Sequence, residues 1–267
     1  MTQAGLGARH PEVQRLRALL RDRRTRADEH AFVLEGPRVV AGALDRGAHL
    51  EVVYLGPGAD RAFAQLMARV NAAGTRVEVL REGVLEKVGR TRTPQPVLGV
   101  AQQTTRPFGA LPGSGTAVVA VGVSDPGNLG TIVRSAEAAG ADGVIACGNS
   151  VDPLNPKAVR SSAGAIFGVT VMEADDPMQV LDSLAGAGRR TLGASATHGS
   201  PYDEADLAHS CALVVGNEAH GLANDIAARL DGLVNVPMAD RSESLNVAMA
   251  ATVLLFEGAR QRRSAPS

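Results

Sequence analysis

The chain is poor in the residues that form disulfides, bind metals or stack on bases. Its 267 residues include two cysteines, no tryptophan and 3% aromatic residues. Two cysteines, Cys147 and Cys211, cannot supply a disulfide framework or a cysteine-type zinc site, so we interpret both as buried apolar residues. His198, His209 and His220 are scattered without the spacing of metal ligands. We therefore expect no metal ion.

The sequence also lacks any apolar run as long as the roughly 18 to 20 residues that a membrane helix needs. Residues 1–24 carry polar and charged side chains where a signal peptide would have its apolar segment. Hydrophobic residues still make up 45% of the chain, a normal proportion for a globular protein with one large or two ordinary domains. We expect a cytoplasmic protein that does not contact a membrane.

The net charge of −1 excludes a uniformly basic binder of nucleic acid, but basic residues are concentrated in the first hundred positions. Six arginines lie from Arg15 to Arg26 against one acid, Asp22. Because aromatic side chains are few, contacts with phosphates and with nucleic-acid shape are favoured over base stacking. The candidate contacts are Arg15, Arg23, Arg24, Arg26, Arg38 and Arg92. A solvated helix face without a ligand explains the same charge pattern equally well.

Short strand-like and helix-like segments alternate along the whole chain, which predicts an α/β protein. The series breaks once, at residues 104–115, where two prolines and several glycines indicate an interdomain linker. We expect an N-terminal domain over residues 1–103, beginning with a helix over residues 11–21. The second domain, residues 116–267, has continuous apolar strands such as "AVVAV", as expected for a parallel sheet covered on both faces.

Three strands of the second domain run into polar loops: "VGVSDPGNLG", "LVVGNEAHGL" and "VPMADRSESLN". Open α/β sheets bind ligands at the carboxyl ends of their strands, and glycines let the backbone approach a ligand closely. A single polar loop could be an ordinary strand-to-helix turn, but three such loops are less readily explained in this way. The dinucleotide fingerprint G-x-G-x-x-G and the P-loop motif are absent, which disfavours a nucleotide-dependent metabolic enzyme on a Rossmann-like sheet.

Four segments resemble, in order, the motifs of the SpoU (TrmH) group of SPOUT RNA methyltransferases. They are "DPGNLGTIVRSAEAAG", "NPKAVRSSAGAIF", "LVVGNEAHGL" and "VPMADRSESLNVAMAATVLLFE". Near the N-terminus, "FVLEGPRVVAGAL" and "TRTPQPVLGV" resemble the small substrate-binding domain often joined to that group. Together these segments extend over nearly the whole chain, which makes the resemblance far more specific than a single motif.

The resemblance implies a C-terminal doubly wound parallel sheet with a deep trefoil knot, and an N-terminal RNA-binding α/β domain like those of ribosomal proteins. It also implies a homodimer that uses S-adenosylmethionine to methylate ribose 2′-hydroxyls of RNA. Large-subunit (23S) ribosomal RNA is the favoured substrate, because that type of N-terminal domain resembles those of large-subunit enzymes. Transfer RNA is an alternative, as is a noncatalytic RNA-binding factor on the same fold.

The resemblance also assigns roles to individual residues. The implied catalytic residues are Arg134, Asn128, Glu218, Ser244 and Asn246. The implied cofactor-binding residues are Gly216, Asn217, Gly221, Val236, Met238 and Leu245. The chain departs from the family pattern at Asp240, where a glycine is common, and at Ala219 and His220, which replace a small and an acidic residue.

From the sequence alone, purely structural roles for these residues remain possible. Arg134 has the alternative of a solvent-facing helix residue or an ion pair with Glu137. Ser244 sits where a helix cap is expected, whereas Asn246 is expected inside the helix, where asparagine has poor propensity. Glu218 has two possible roles of similar weight, binding the target region or orienting a neighbouring loop.

Overall fold

The computed structural model describes residues 5–89, 94–103, 111, 115–239 and 244–264. Arg92, Asp240 and most of the expected linker lie outside the described residues. The chain forms two compact units, one of residues 1–105 with 154–167 and the other of residues 106–153 with 168–267. The chain therefore passes between the units three times.

The first unit contains a four-stranded sheet in the order β1-β4-β2-β3, in which only β2 and β3 are parallel. Its strands are β1 (Ala31–Glu35), β2 (Leu50–Leu55), β3 (Arg76–Val79) and β4 (Val97–Gln102). Its helices are α1 (Pro11–Arg21), α2 (Arg23–Glu29), α3 (Pro37–Asp45), α4 (Ala59–Ala62), α5 (Ala64–Ala72), α6 (Val84–Val88) and α8 (Pro156–Ser162), followed by a 3-10 turn (Ala165–Phe167).

Helix α1 has the bounds that the sequence predicts. Pro11 occupies the first turn, where its missing N–H costs nothing, and apolar residues three to four positions apart form one buried face. Those residues are Val13, Leu16, Leu19 and Leu20.

Residues 154–167 complete the core of the first unit. Val159 of α8 lies in the same hydrophobic cluster as Leu34 of β1, and the rings of Phe32 and Phe167 stack with centroids 5.7 Å apart. In addition, Arg160 Nη1 lies 2.5 Å from the Oε2 of Glu35, a carboxylate that is 8% exposed. This segment carries the whole "NPKAVRSSAGAIF" motif, so that motif is a structural element of the first unit.

The second unit has a seven-stranded parallel sheet in the order β7-β6-β5-β10-β8-β11-β9. Its strands are β5 (Thr116–Val121), β6 (Gly143–Cys147), β7 (Thr170–Ala174), β8 (Arg190–Ser195), β9 (Ser200–Pro201), β10 (Cys211–Val215) and β11 (Gly232–Asn235). Its helices are α7 (Pro126–Ala138), α9 (Pro177–Gly186), α10 (Asn224–Arg229) and α11 (Val247–Ser264). The parallel sheet expected from the continuous apolar strands is confirmed, and β5, β6 and β10 are buried along almost their whole length.

Neither a membrane helix nor a metal cluster is found in the part of the chain that the structure describes. None of its helices is both long and apolar enough to cross a bilayer. No three histidine, cysteine, aspartate or glutamate side chains come together there in a way that could hold a metal ion. Both cysteines are buried, and burial raises the pKa of each thiol.

Candidate active site

The three polar loops come together because their strands are close in the sheet. Strand β10 pairs with β5 on one side and with β8 on the other, and β8 pairs with β11. The strands are parallel, so their carboxyl ends meet at one edge, as expected for a ligand site in an open α/β sheet. The loops that follow β5, β10 and β11 are the three that the sequence singles out.

A cavity of about 470 Å³ opens at this edge of the second unit. That volume falls in the range of about 300 to 1,000 Å³ that is usual for small-molecule sites. The residues that the resemblance assigns to the cofactor all line it: Gly216, Asn217, Gly221, Val236, Met238 and Leu245. Glu218 and Ser244 line it as well, whereas Asn128 and Arg134 do not belong to its wall.

The loop after β10 is a tight turn that only glycine permits at its start. Asn217 and Gly221 exchange two backbone hydrogen bonds, of 3.0 and 2.8 Å. A Cβ on Gly216 would overlap the backbone of Gly221, so a larger residue there would break the turn. The Nδ2 of Asn217 donates to the carbonyl of Gly122 at 2.8 Å, which ties this loop to the loop after β5.

Glu218 is held as a carboxylate by donors from the loop after β5. Its two oxygens accept the backbone amides of Ser124 and Asp125 and the side chains of Ser124 and Asn128, at 2.9 to 3.1 Å. Partial burial would raise its pKa, but the Asn128 side chain and the backbone amides outweigh burial and lower the pKa to about 2. Glu218 is therefore ionised near neutral pH, and so weak a base removes protons poorly. Its hydrogen bonds hold the groups around it in a fixed orientation.

A chain of side-chain hydrogen bonds runs from Glu218 through Asn128 to Asn246. Asn128, in the first turn of α7, donates from Nδ2 to Glu218 at 3.0 Å and accepts at Oδ1 from the Nδ2 of Asn246, also at 3.0 Å. A carboxylate only accepts and a backbone amide only donates, so these neighbours fix the orientation of both amide groups. The polar edge of the site is thus a defined network rather than a set of independent side chains.

Asn246 caps helix α11. The prediction that it lies inside the helix is therefore wrong. Helix α11 begins at Val247, and the Oδ1 of Asn246 accepts the amides of Ala248 and Met249 at 2.9 and 3.4 Å. The side chain thus uses its oxygen for the cap and its nitrogen for Asn128. Ser244, the residue expected to cap, is exposed at the cavity wall.

Arg134 is an exposed residue of α7, about two turns beyond Asn128. The structure shows no hydrogen bond or ion pair between Arg134 and another described residue, Glu137 included. Its guanidinium is available to a ligand that approaches from solvent.

The carboxyl end of β8 adds residues that the sequence interpretation missed. Ala194, Ser195, Ala196 and His198 line the cavity. This loop has no polar motif comparable with the other three, and its place in the site follows from β8 lying between β10 and β11. The only signal available was that "SATHGS" follows a predicted strand.

Comparison with known proteins identifies the family of the second unit. A model of the SpoU rRNA Methylase family matches residues 115–256, just over half of the chain. The chain belongs to the SpoU rRNA methylase family. A model of the MRM3-like substrate binding domain matches residues 10–99 of this SpoU-family chain.

Two curated relatives cover most of the chain. The 23S rRNA (guanosine(2553)-2'-O)-methyltransferase RlmP of Bacillus subtilis is 32% identical over 89% of this chain and 92% of its own. The 23S rRNA (uridine(2479)-2'-O)-methyltransferase of Streptomyces viridochromogenes is 31% identical over 96% of this chain and 92% of its own.

Solved structures of methyltransferases match this chain over nearly its whole length. The SpoU methyltransferase AviRb of Streptomyces viridochromogenes, in complex with AdoMet, superposes with a TM-score of 0.84 at 29% identity, over 97% of this chain and 100% of its own. The AdoMet-bound rRNA methyltransferase of Sinorhizobium meliloti gives a TM-score of 0.79 at 31% identity, over 97% and 96% of the two chains.

Two of the arginines that the sequence assigns to RNA binding in this SpoU-family chain have other partners. Arg26 is 4% exposed and donates from Nη1 to the carbonyl of Leu19 at 2.6 Å, so its assignment as an RNA contact is wrong. Arg15 is ion-paired with Glu29 at 2.6 Å and with Glu51 at 2.9 Å. Its charge is already compensated, so Arg15 is a poor candidate for a phosphate contact.

The remaining basic candidates lie at the surface, except for Arg92, which is outside the described residues. Arg23, Arg24 and Arg38 are exposed. Arg24 is 88% exposed, and its ion pair with Asp28 is long, at 3.6 Å. Such a pair contributes little to stability, so Arg24 could exchange Asp28 for a phosphate at small cost.

Proposed function

We propose that the protein transfers a methyl group from S-adenosylmethionine to a ribose 2′-hydroxyl of large-subunit (23S) ribosomal RNA. The observation that carries this proposal is the hydrogen-bonded chain Glu218–Asn128–Asn246 beside a cavity of cofactor size. Family membership and the activities named for the two curated relatives support it.

The cavity fits S-adenosylmethionine in size and in chemistry. Val236, Met238 and Leu245 give it an apolar wall, which suits a nucleoside and the aliphatic carbons of the methionine part. The backbone amides and carbonyls of the loops after β10 and β11 can recognise an adenine edge without side chains. When bound, the cofactor supplies a methyl group on a positively charged sulfur, and the reactive chemistry belongs to it.

The chain's own residues position the ribose and stabilise charge. Methyl transfer needs the ribose oxygen in line with the methyl group, so orienting the two substrates supplies much of the rate. We assign this orientation to the amides of Asn128 and Asn246. Arg134 binds the phosphate beside the target ribose and stabilises the negative charge that develops on O2′ as its proton passes to solvent.

The first unit captures the RNA through Arg23, Arg24, Arg38 and Arg92, chiefly by phosphate contacts. The affinity for RNA should therefore fall as the salt concentration rises.

The proposed RNA substrate is consistent with a cytoplasmic location for the protein. The trefoil knot stays a prediction of the family resemblance.

A second copy of the chain completes the enzyme in this proposal. Met249 and Phe256 of α11 are exposed to 61% and 43%, and their spacing of seven residues places both on one face of the helix. Large apolar side chains on one face mark a protein interface more often than a free surface. The family resemblance favours a homodimer over another partner.

The test combines binding with transfer. Purified protein should bind S-adenosylmethionine in calorimetry and should place one methyl group on a ribose of deproteinised 23S ribosomal RNA. Binding of S-adenosylmethionine without transfer to any RNA would favour the noncatalytic RNA-binding factor. Transfer to transfer RNA alone would replace the proposed substrate.

A further inference from the structure

The loop after β8 is anchored on both of its sides. The Oγ of Ser195 accepts the amides of Thr197 and His198, at 3.4 and 3.1 Å. At the other end of the loop, the Nδ2 of Asn235 donates to the carbonyl of Gly199 at 3.0 Å. These bonds fix the backbone on either side of His198.

Gly199 is required for this anchoring. Its φ of +100° lies in the left-handed region, and a Cβ there would overlap the carbonyl oxygen of Leu233 in β11. The loop therefore packs directly on the neighbouring strand, which leaves His198 a defined position at the cavity wall.

The ring of His198 is also oriented. Its Nδ1 lies 2.8 Å from the Oγ1 of Thr197, and the structure shows no hydrogen bond between its Nε2 and any other described residue. The residue is exposed and lines the cavity, so we place it where the cavity opens to solvent. An imidazole fixed at one nitrogen presents the other to a ligand.

The position of β8 directs His198 to the cofactor rather than to the RNA. In the sheet, β10 separates β8 from β5, so the ends of β8 and β5 are about 10 Å apart. Asn128 and Arg134 follow β5, and the proposed ribose site lies with them. His198 follows β8, two strands away from β5, and lines the cavity, whereas Asn128 and Arg134 do not.

The charges of the cavity indicate which part of the cofactor His198 meets. Among the described residues that line the cavity none is a lysine or an arginine, and only His198 and His220 can carry positive charge. His220 lies two positions from Glu218, and no hydrogen bond with another described residue orients its ring. The cofactor carries one carboxylate, at its amino-acid end, which needs a donor.

We propose that His198 is a cofactor-contacting residue whose Nε2 donates a hydrogen bond to the carboxylate of S-adenosylmethionine. This inference rests on the proposed function. It assigns the amino-acid end of the cofactor to the loop after β8, and the reacting methyl to the side of α7.

The test compares two ligands that differ only in this carboxylate, S-adenosylmethionine and decarboxylated S-adenosylmethionine, by calorimetry. His198→Ala should weaken binding of S-adenosylmethionine about tenfold, the effect of one hydrogen bond to a charged group, and should change binding of the decarboxylated ligand less than twofold. His198→Gln, which keeps a donor, should lose less. His209→Ala is the matched control, since His209 is 83% exposed beside Asp206 and does not line the cavity.

Each other outcome has a definite meaning. Equal losses for both ligands would overturn the carboxylate assignment, as would unchanged binding of both. A weaker affinity for RNA with unchanged cofactor binding would place His198 at the RNA instead. If the unaltered protein binds neither ligand, the proposed function itself fails, so the two failures are distinguishable.

Discussion

At the scale of single residues, the site depends on a carboxylate that orients other groups. Glu218 accepts hydrogen bonds from four donors and has a pKa of about 2. Sequence resemblance left open whether this residue binds the target or orients a loop. Its partners favour the second role, because its side-chain hydrogen bonds with described residues go to the loop after β5 and the first turn of α7.

Glu218→Gln should lower the methyl-transfer rate more than tenfold. It should also lower the free energy of unfolding by about 1 kcal/mol, because the amide nitrogen of glutamine would face the hydrogen-bond donors that now bind the carboxylate. The folded-state pKa lies below the ordinary value of 4.5, so the stabilisation is complete above pH 4.5 and is lost as the pH falls towards 2. Urea unfolding of both proteins at pH 7, 5 and 3.5 measures this. A stability difference that grows towards low pH would contradict the assignment.

At the scale of elements, the start of α11 joins helix stability to the site. Asn246 caps the helix through Oδ1 and reaches Asn128 through Nδ2. The two functions can be separated by substitution, since aspartate keeps the capping oxygen and lacks the donor.

Asn246→Asp should keep the free energy of unfolding within about 0.5 kcal/mol and lower methyl transfer at least tenfold, because its second oxygen would face the Oδ1 of Asn128. Asn246→Ala should lose both the activity and about 1 kcal/mol of stability. Thermal unfolding and single-turnover methylation separate these effects. Equal activity of Asn246→Asp and the unaltered protein would show that the bond to Asn128 has no role in transfer.

The elements also show what sequence can and cannot predict. The parallel sheet and helix α1 follow from local patterns, and the structure confirms them. The three polar loops were also found from local patterns, and they follow β5, β10 and β11. The capping role of Asn246 was missed because a helix boundary depends on one or two residues. Arg26 was misassigned because charge patterns do not reveal burial, and the His198 loop was missed because its place depends on the strand order.

At the scale of the whole molecule, the two family models and the compact units divide the chain differently. The family models match residues 10–99 and 115–256, whereas residues 154–167 pack in the first unit. The expected domains, 1–103 and 116–267, remain a proposal. The first unit nevertheless depends on residues from the middle of the methylase segment.

Arg160→Ala should therefore destabilise the first unit, by about 2 kcal/mol, since Glu35 would be left nearly buried without its partner. Hydrogen exchange should show protection reduced more than tenfold in β1, with β10 unchanged. Arg190→Ala is the control, because its pair with Asp206 is long, at 3.4 Å, and half exposed. Unchanged protection of β1 would show that residues 154–167 are not part of this core.

The proposed dimer predicts a second effect at this scale. Phe256→Glu should shift the protein from dimer to monomer in analytical ultracentrifugation at micromolar concentration, because a charge would be buried in an apolar interface. Arg24→Glu, in the first unit, should leave the oligomeric state unchanged. A monomer in the unaltered protein would contradict the proposed homodimer directly.

The central claim is methylation of one ribose in 23S ribosomal RNA with the help of Arg134. Its most direct test maps 2′-O-methylation across ribosomal and transfer RNA from cells with the gene, without it, and with Arg134→Lys. Lysine keeps the positive charge but lacks the planar guanidinium, which can bind a phosphate through two N–H groups. The methyl-transfer rate should therefore fall about a hundredfold. The account predicts one 23S ribose that is methylated only with the unaltered gene. Identical maps with and without the gene, or full methylation by Arg134→Lys, would contradict it.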